Sequence, residues 1–126
     1  MHLSEPTLAK TGVTKDEFNA LDIRVGLVTE ASRVPKSDKL LKLTVNVGSE
    51  TRTIVTNVGS QYEPEQLAGK KYPFLLNLPP RKMMGIESNG MILAVTSAEG
   101  QVVLLDSDSE PGARCVLEPS EKEKGL

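Results

Sequence analysis

Arg81 and Lys82 stand side by side in NLPPRKMMGIESNGMIL, residues 77–93, with no acid before Glu87. Adjacent cations without a neighbouring carboxylate are suited to neutralising phosphates. Residues 69–98 carry Lys70, Lys71, Arg81 and Lys82 against Glu87, a net of +3. Residues 33–52 carry Arg33, Lys36, Lys39, Lys42 and Arg52 against Asp38 and Glu50, again +3. The whole chain has a net charge of −2, so the remainder holds −8, with seven acids in residues 99–126. The total excludes a globally cationic nucleic-acid binder. A fold that joins the two basic segments would nevertheless make a dipolar surface able to attract a polyanion. Arg52 has a competing use, since Glu50 lies across a turn from it.

Other chemistry finds little material. The lone His2 sits in a polar N-terminal stretch and makes a poor general base or ligand. Cys115 has no activating histidine nearby in sequence and forms no internal disulfide, being the single cysteine. That cysteine usage fits a reducing compartment. The run Asp106 to Glu110 imitates the start of a calcium loop, but Pro111 replaces the required glycine and Leu117 the closing glutamate. No phosphate-binding glycine loop is present. The expectation is a non-enzyme with no metal and no cofactor. The aromatics are Phe18, Tyr62, Tyr72 and Phe74, so a site built on stacked bases has little to work with. No apolar run reaches membrane-spanning length, and a soluble, cytoplasmic protein is expected.

The elements that must position these residues read mostly as strands. Residues 1–15 form an arm; Thr14 with Glu17 makes a capping box for a short helical turn. LDIRVGLV places Ile23, Val25 and Leu27 on one face. LLKLTVNV is the clearest strand, with Leu41, Leu43, Val45 and Val47 inward and Lys42 outward. GSE turns the chain into TRTIVT, a hairpin. A short helical connection closed by Gly69 follows. YPFLLNL is a strand whose Pro73 places it at an edge or bulge. NLPPRKMMGIESNG is a basic loop. MILAVT reads as buried on both faces, with Ile92 and Leu93 in the core. VVLLD and a last short strand near Cys115 end the domain, and residues 118–126 form a charged tail. Five or six short strands with a helix between the third and fourth suit an all-β oligonucleotide/oligosaccharide-binding (OB) barrel with extra C-terminal strands.

LDIRVG, SDKLLKLTVNVG, RTIVT, YEPEQLAGKK and NLPPRKMMGIESNGMILA occur in an order and spacing that resemble the tRNA-binding domain family over roughly residues 16–117. That family is an OB barrel. It is found fused to methionyl-tRNA synthetases, to bacterial phenylalanyl-tRNA synthetase β chains and to eukaryotic synthetase-complex cofactors, and as small free-standing dimers. The resemblance implies a tRNA-facing surface that includes Asn77, Arg81, Lys82, Gly85, Ser88, Gly90 and Met91. Lys39 and Leu40 match the family's Asp-Lys-Leu step, and Lys42 follows on the outward face. On this reading Lys39, Lys42, Arg52, Arg81 and Lys82 meet phosphates, while Asn77 and Ser88 hydrogen-bond sugar, phosphate or base edges. Asn77 and Ser88 also have a plainer use, bonding the loop's own backbone.

Two positions depart from the family pattern: Pro79 and Met84 stand where many members have cations. The double proline is similar to a sub-branch of small dimeric proteins credited with binding unfolded peptide in protein export. The resemblance therefore implies non-catalytic tRNA binding, recognised mainly by shape and phosphates. Its alternative is an export-type peptide chaperone using Met83, Met84 and Ile86. It implies a homodimer, joined through residues 1–20 or the strands after residue 95, with an aminoacyl-tRNA synthetase as a possible partner.

Overall fold

A computed structural model of the chain describes residues 12–125. His2 and most of the expected arm of residues 1–15 lie outside the described residues. The first element is α1 (Lys15–Asn19), and its capping box is complete: Thr14 Oγ1 accepts from the Glu17 amide, and the Glu17 carboxylate accepts from the Thr14 amide.

The body is a curled antiparallel sheet of five strands in the order β3-β2-β1-β4-β7, built from β1 (Ile23–Arg33), β2 (Leu41–Asn46), β3 (Thr51–Thr56), β4 (Lys71–Leu75) and β7 (Met91–Ile92). The helix α2 (Pro64–Leu67) joins β3 to β4. This is an all-β, OB-like half-barrel with a small helix, as the strand count predicts. Strand β1 is its spine: residues 27–33 pair with β2 and residues 23–27 with β4. A bulge between Val28 and Glu30 sharpens the bend. At Gly26 an added Cβ would come within 2.5 Å of Val45 Cγ1 and 2.8 Å of a Phe74 ring carbon, so the spine can cross the core only without a side chain. The inward series consequently changes parity. Ile23 and Val25 are buried as expected, but Val28, not Leu27, continues the core.

Strand β2 follows its alternation, with Leu41, Leu43 and Val45 fully buried and Val47 nearly so. Ile54, Leu67, Tyr72 and Phe74 complete the core. Pro73 lies on an internal strand, contrary to the expected edge or bulge. The Val25 amide and carbonyl opposite it bond instead to Ala113 and Gly112, and the short β7 pairs only with Phe74 and Leu75. The Leu93 amide donates to the Pro73 carbonyl at 3.1 Å, and the proline returns no donor at the point where the β7 pairing ends.

Two expectations fail beyond this point. The stretch after Asn77 is no mere loop: β5 (Arg81–Met83) and β6 (Ile86–Ser88) form a separate hairpin. MILAVT is not a doubly buried strand. It divides at Leu93 into β7 and β8 (Ala94–Thr96), and β8 pairs only with β9 (Val102–Leu104) in a two-stranded ribbon. Ile92 and Leu93 are half-buried, and Val95 is 49% exposed. The ribbon leaves the barrel wall, and Leu104 is its core residue. Residues 112–115 then run along the first half of β1, with an isolated bridge between Arg24 and Arg114.

Candidate nucleic-acid interface

The hairpin β5–β6 turns at Met84 and Gly85, both left-handed, with φ 52° and 81°. A two-residue turn with positive φ at both positions matches the twist of short antiparallel strands. Arg81 faces Ser88 across the pair, and Lys82 faces Glu87.

Three of the residues nominated from sequence form the footing of this excursion. Arg52 meets Glu50 Oε2 at 2.6 Å, and its Nη1 donates to the carbonyls of Leu76 at 2.7 Å and Asn89 at 3.3 Å. It thus ties together the points where the chain leaves and rejoins the barrel. Asn77 Oδ1 accepts from the Asp22 amide at 2.9 Å, and its Nδ2 donates to the Ala20 carbonyl at 2.7 Å. Ser88, 1% exposed, accepts from the Val55 amide at 2.9 Å and donates to the Gly90 carbonyl at 3.1 Å. With the bond from the Asn89 amide to the Thr53 carbonyl, these contacts close β3 against the hairpin where no ladder runs.

The other four nominees carry free charge. Lys39, Lys42, Arg81 and Lys82 take no part in the four ion pairs found among the described residues. Lys42 pairs with Val55, Val55 bonds Ser88, and Ser88 pairs with Arg81. Lys42 and Arg81 therefore end one row that crosses β2, β3, β6 and β5. The Lys39 carbonyl accepts from the Gly59 amide at 2.7 Å, which seats the loop before β2 against the segment after β3. Between the end of β3, β5, β7 and the ribbon lies a groove of about 200 Å³, walled by Val55, Val58, Met83, Ile92 and Val102, with Arg81 as its charged residue. Asn57, Thr56 and Thr96 also line it. Sequence reasoning missed all three; for Asn57 the usable signal is a polar residue immediately after a β-branched strand.

The burial of Tyr72 in the core, aided by the nearby Asp106 carboxylate, pushes its phenol up to about 12. Among the described residues no three His, Cys, Asp or Glu side chains come together as a metal site. No helix there is long and apolar enough to cross a membrane.

A curled β half-barrel flanked by unpaired lysines and arginine defines the class of OB-type binding modules. Residues 23–114 match the family described as "Putative tRNA binding domain", and the chain belongs to that family. It is 45% identical over 106 residues to a methionine–tRNA ligase of Bacteroides fragilis and 47% identical over 104 residues to that of Caldanaerobacter subterraneus. These matches cover 82% and 81% of the chain, but in each case only 16% of the ligase's length. Among solved structures, the MetRS-related protein from Pyrococcus horikoshii superposes with a TM-score of 0.82 at 40% identity, covering 84% of this chain and 99% of that one. The chaperone CsaA from Bacillus anthracis superposes with 0.74 at 27% identity, covering 83% and 99%.

Proposed function

We propose that the chain binds tRNA without catalysing a reaction, through the face bounded by Lys39, Lys42, Arg81 and Lys82. Arg52, Asn77 and Ser88 serve that face by positioning the hairpin. The observation that carries the reading is the conjunction of membership in a tRNA-binding domain family with four cations that enter no ion pair among the described residues. The binding unit is residues 16–117, acting in the cytoplasm, with tRNA recognised by phosphates and shape. Its test is fluorescence anisotropy of unfractionated tRNA over a salt series. Neutralising about four phosphates gives a log–log slope of roughly −3 to −4. No binding at low salt removes the reading.

A single barrel with so few cations binds weakly, and a homodimer would place two such faces on one tRNA. Met91, Val95, Val103 and Leu105, each 38–49% exposed around the ribbon, support its strands as the contact. Light scattering that finds a monomer at micromolar concentration removes this part. Relatives that carry the domain within a methionine–tRNA ligase suggest an aminoacyl-tRNA synthetase as a further partner, checked by co-sedimentation with one.

The apolar wall of the groove and the likeness to a chaperone favour a second reading, capture of unfolded peptide. That binding would be insensitive to salt and indifferent to Arg81→Ala.

A further inference from the structure

Methionine is a costly residue at position 84 on two counts, although the hairpin accounts for the backbone conformation there. Its φ of 52° lies in the left-handed region, shared among the described non-glycine residues only by Lys36. Asparagine or glycine would hold the first position of this turn more easily. Its side chain is also 57% exposed, and it does not line the groove beside it. A strained, solvent-facing apolar residue at the tip of a hairpin points to an absent contact.

The surroundings narrow that contact. Two residues back lie Lys82 and, one further, Arg81, neither in an ion pair; the single acid on the hairpin, Glu87, faces Lys82. A ligand with phosphates and flat apolar faces uses all three side chains, whereas an apolar peptide would leave the cations idle. Aromatic platforms are missing here. Phe74 and Tyr72 are buried, Tyr62 bonds the ribbon, and Phe18 lies on α1. A polarisable thioether is then the surface on which an unstacked base can lie.

We propose that Met84 is an apolar contact residue for RNA, packing against an exposed base of the strand whose phosphates Arg81 and Lys82 hold. This rests on the tRNA reading and adds to it a contact that carries no charge. The experiment is anisotropy of unfractionated tRNA over a salt series with Met84→Asn and Met84→Leu, alongside thermal melting. Met84→Asn relieves the turn, so its melting temperature equals or exceeds that of the unsubstituted protein, while affinity falls about fivefold at every salt concentration. The salt slope stays unchanged because no phosphate contact is lost. Met84→Leu keeps affinity within about twofold. Met84→Asn binding as tightly as the unsubstituted protein overturns the proposal. So does a shallower slope, which would mean disturbed cations. Loss of unfolded-peptide binding with tRNA binding intact assigns the side chain to peptide and also overturns it. Failure of the tRNA reading itself shows earlier and separately, as absence of binding by the unsubstituted protein.

Discussion

Arginines in the barrel wall and the arginine on the hairpin differ in a way that charge counting conceals. Arg24, Arg33 and Arg52 each donate to a backbone carbonyl, of Gly112, Gly59 and Leu76, and each meets a carboxylate, of Asp22, Glu63 and Glu50. Arg81 forms no ion pair among the described residues and lines the groove. The guanidinium fork suits both tasks, bridging carbonyls or gripping phosphate. In the segment 33–52 it serves the fold, and the free charge there comes from lysines. A net of +3 in two segments therefore does not mean equal readiness to meet a polyanion.

The comparison can be broken most directly by the double substitution Arg81→Ala with Lys82→Ala. It should lower tRNA affinity about tenfold to a hundredfold, taking roughly 1 kcal/mol or slightly more per lost charge-assisted bond, and leave the melting temperature within error. Normal tRNA binding by this variant would falsify the placement of the site. Arg52→Ala should do the opposite. Losing its carbonyl bonds costs about 2 kcal/mol of stability in urea denaturation, while the salt slope stays near that of the parent, since no free charge is removed. Arg52→Lys restores little of that stability, because an ammonium cannot span two carbonyls as the fork does. A smaller effect belongs to Ser88→Ala. It strands the buried Val55 amide at a cost of about 1 kcal/mol and should speed hydrogen exchange at Val55 and along the hairpin. An unchanged exchange rate would mean that Ser88 does not anchor β6.

Near neutral pH the titration of Tyr72 has no effect on stability, and it shows only in alkali. Its folded pKa of about 12 lies above the ordinary value of 10.0. Between these values the unfolded chain releases a proton that the folded one keeps, so stability falls as pH rises from about 10 to about 12. Tyr72→Phe should flatten that part of the profile in pH-dependent melting, and an unaltered profile would assign the loss to other groups.

The barrel was legible in the chain because its strands advertise a period of two over many residues. Leu41 to Val47 alternate without a fault, and Thr14 with Glu17 spells its cap within four positions. The hairpin escaped because each strand has three residues and its turn is Met-Gly in place of the usual Asn-Gly. The run from Met91 to Thr96 looked like core because apolar composition does not reveal where a strand leaves a sheet. For the site, the four free cations were readable as surface charge. The bond from Ser88 to the Gly90 carbonyl is the local backbone contact expected of it, but its bond from Val55, 33 residues away, and the tethers of Asn77, 55 and 57 residues away, were not readable.

Strand β1 hands its first half to β4 and its second half to β2, which leaves residues 23–25 uncovered on the side where β2 curls away. Gly112, Ala113 and Cys115 fill that gap, taking the Ile23 carbonyl and both the amide and carbonyl of Val25. An open edge at this point would be a template for another copy's strand, and stacking through it would grow into aggregate. These few C-terminal residues thus act as a guard rail. They cover that edge of β1, the longest strand among the described residues, against pairing with another chain.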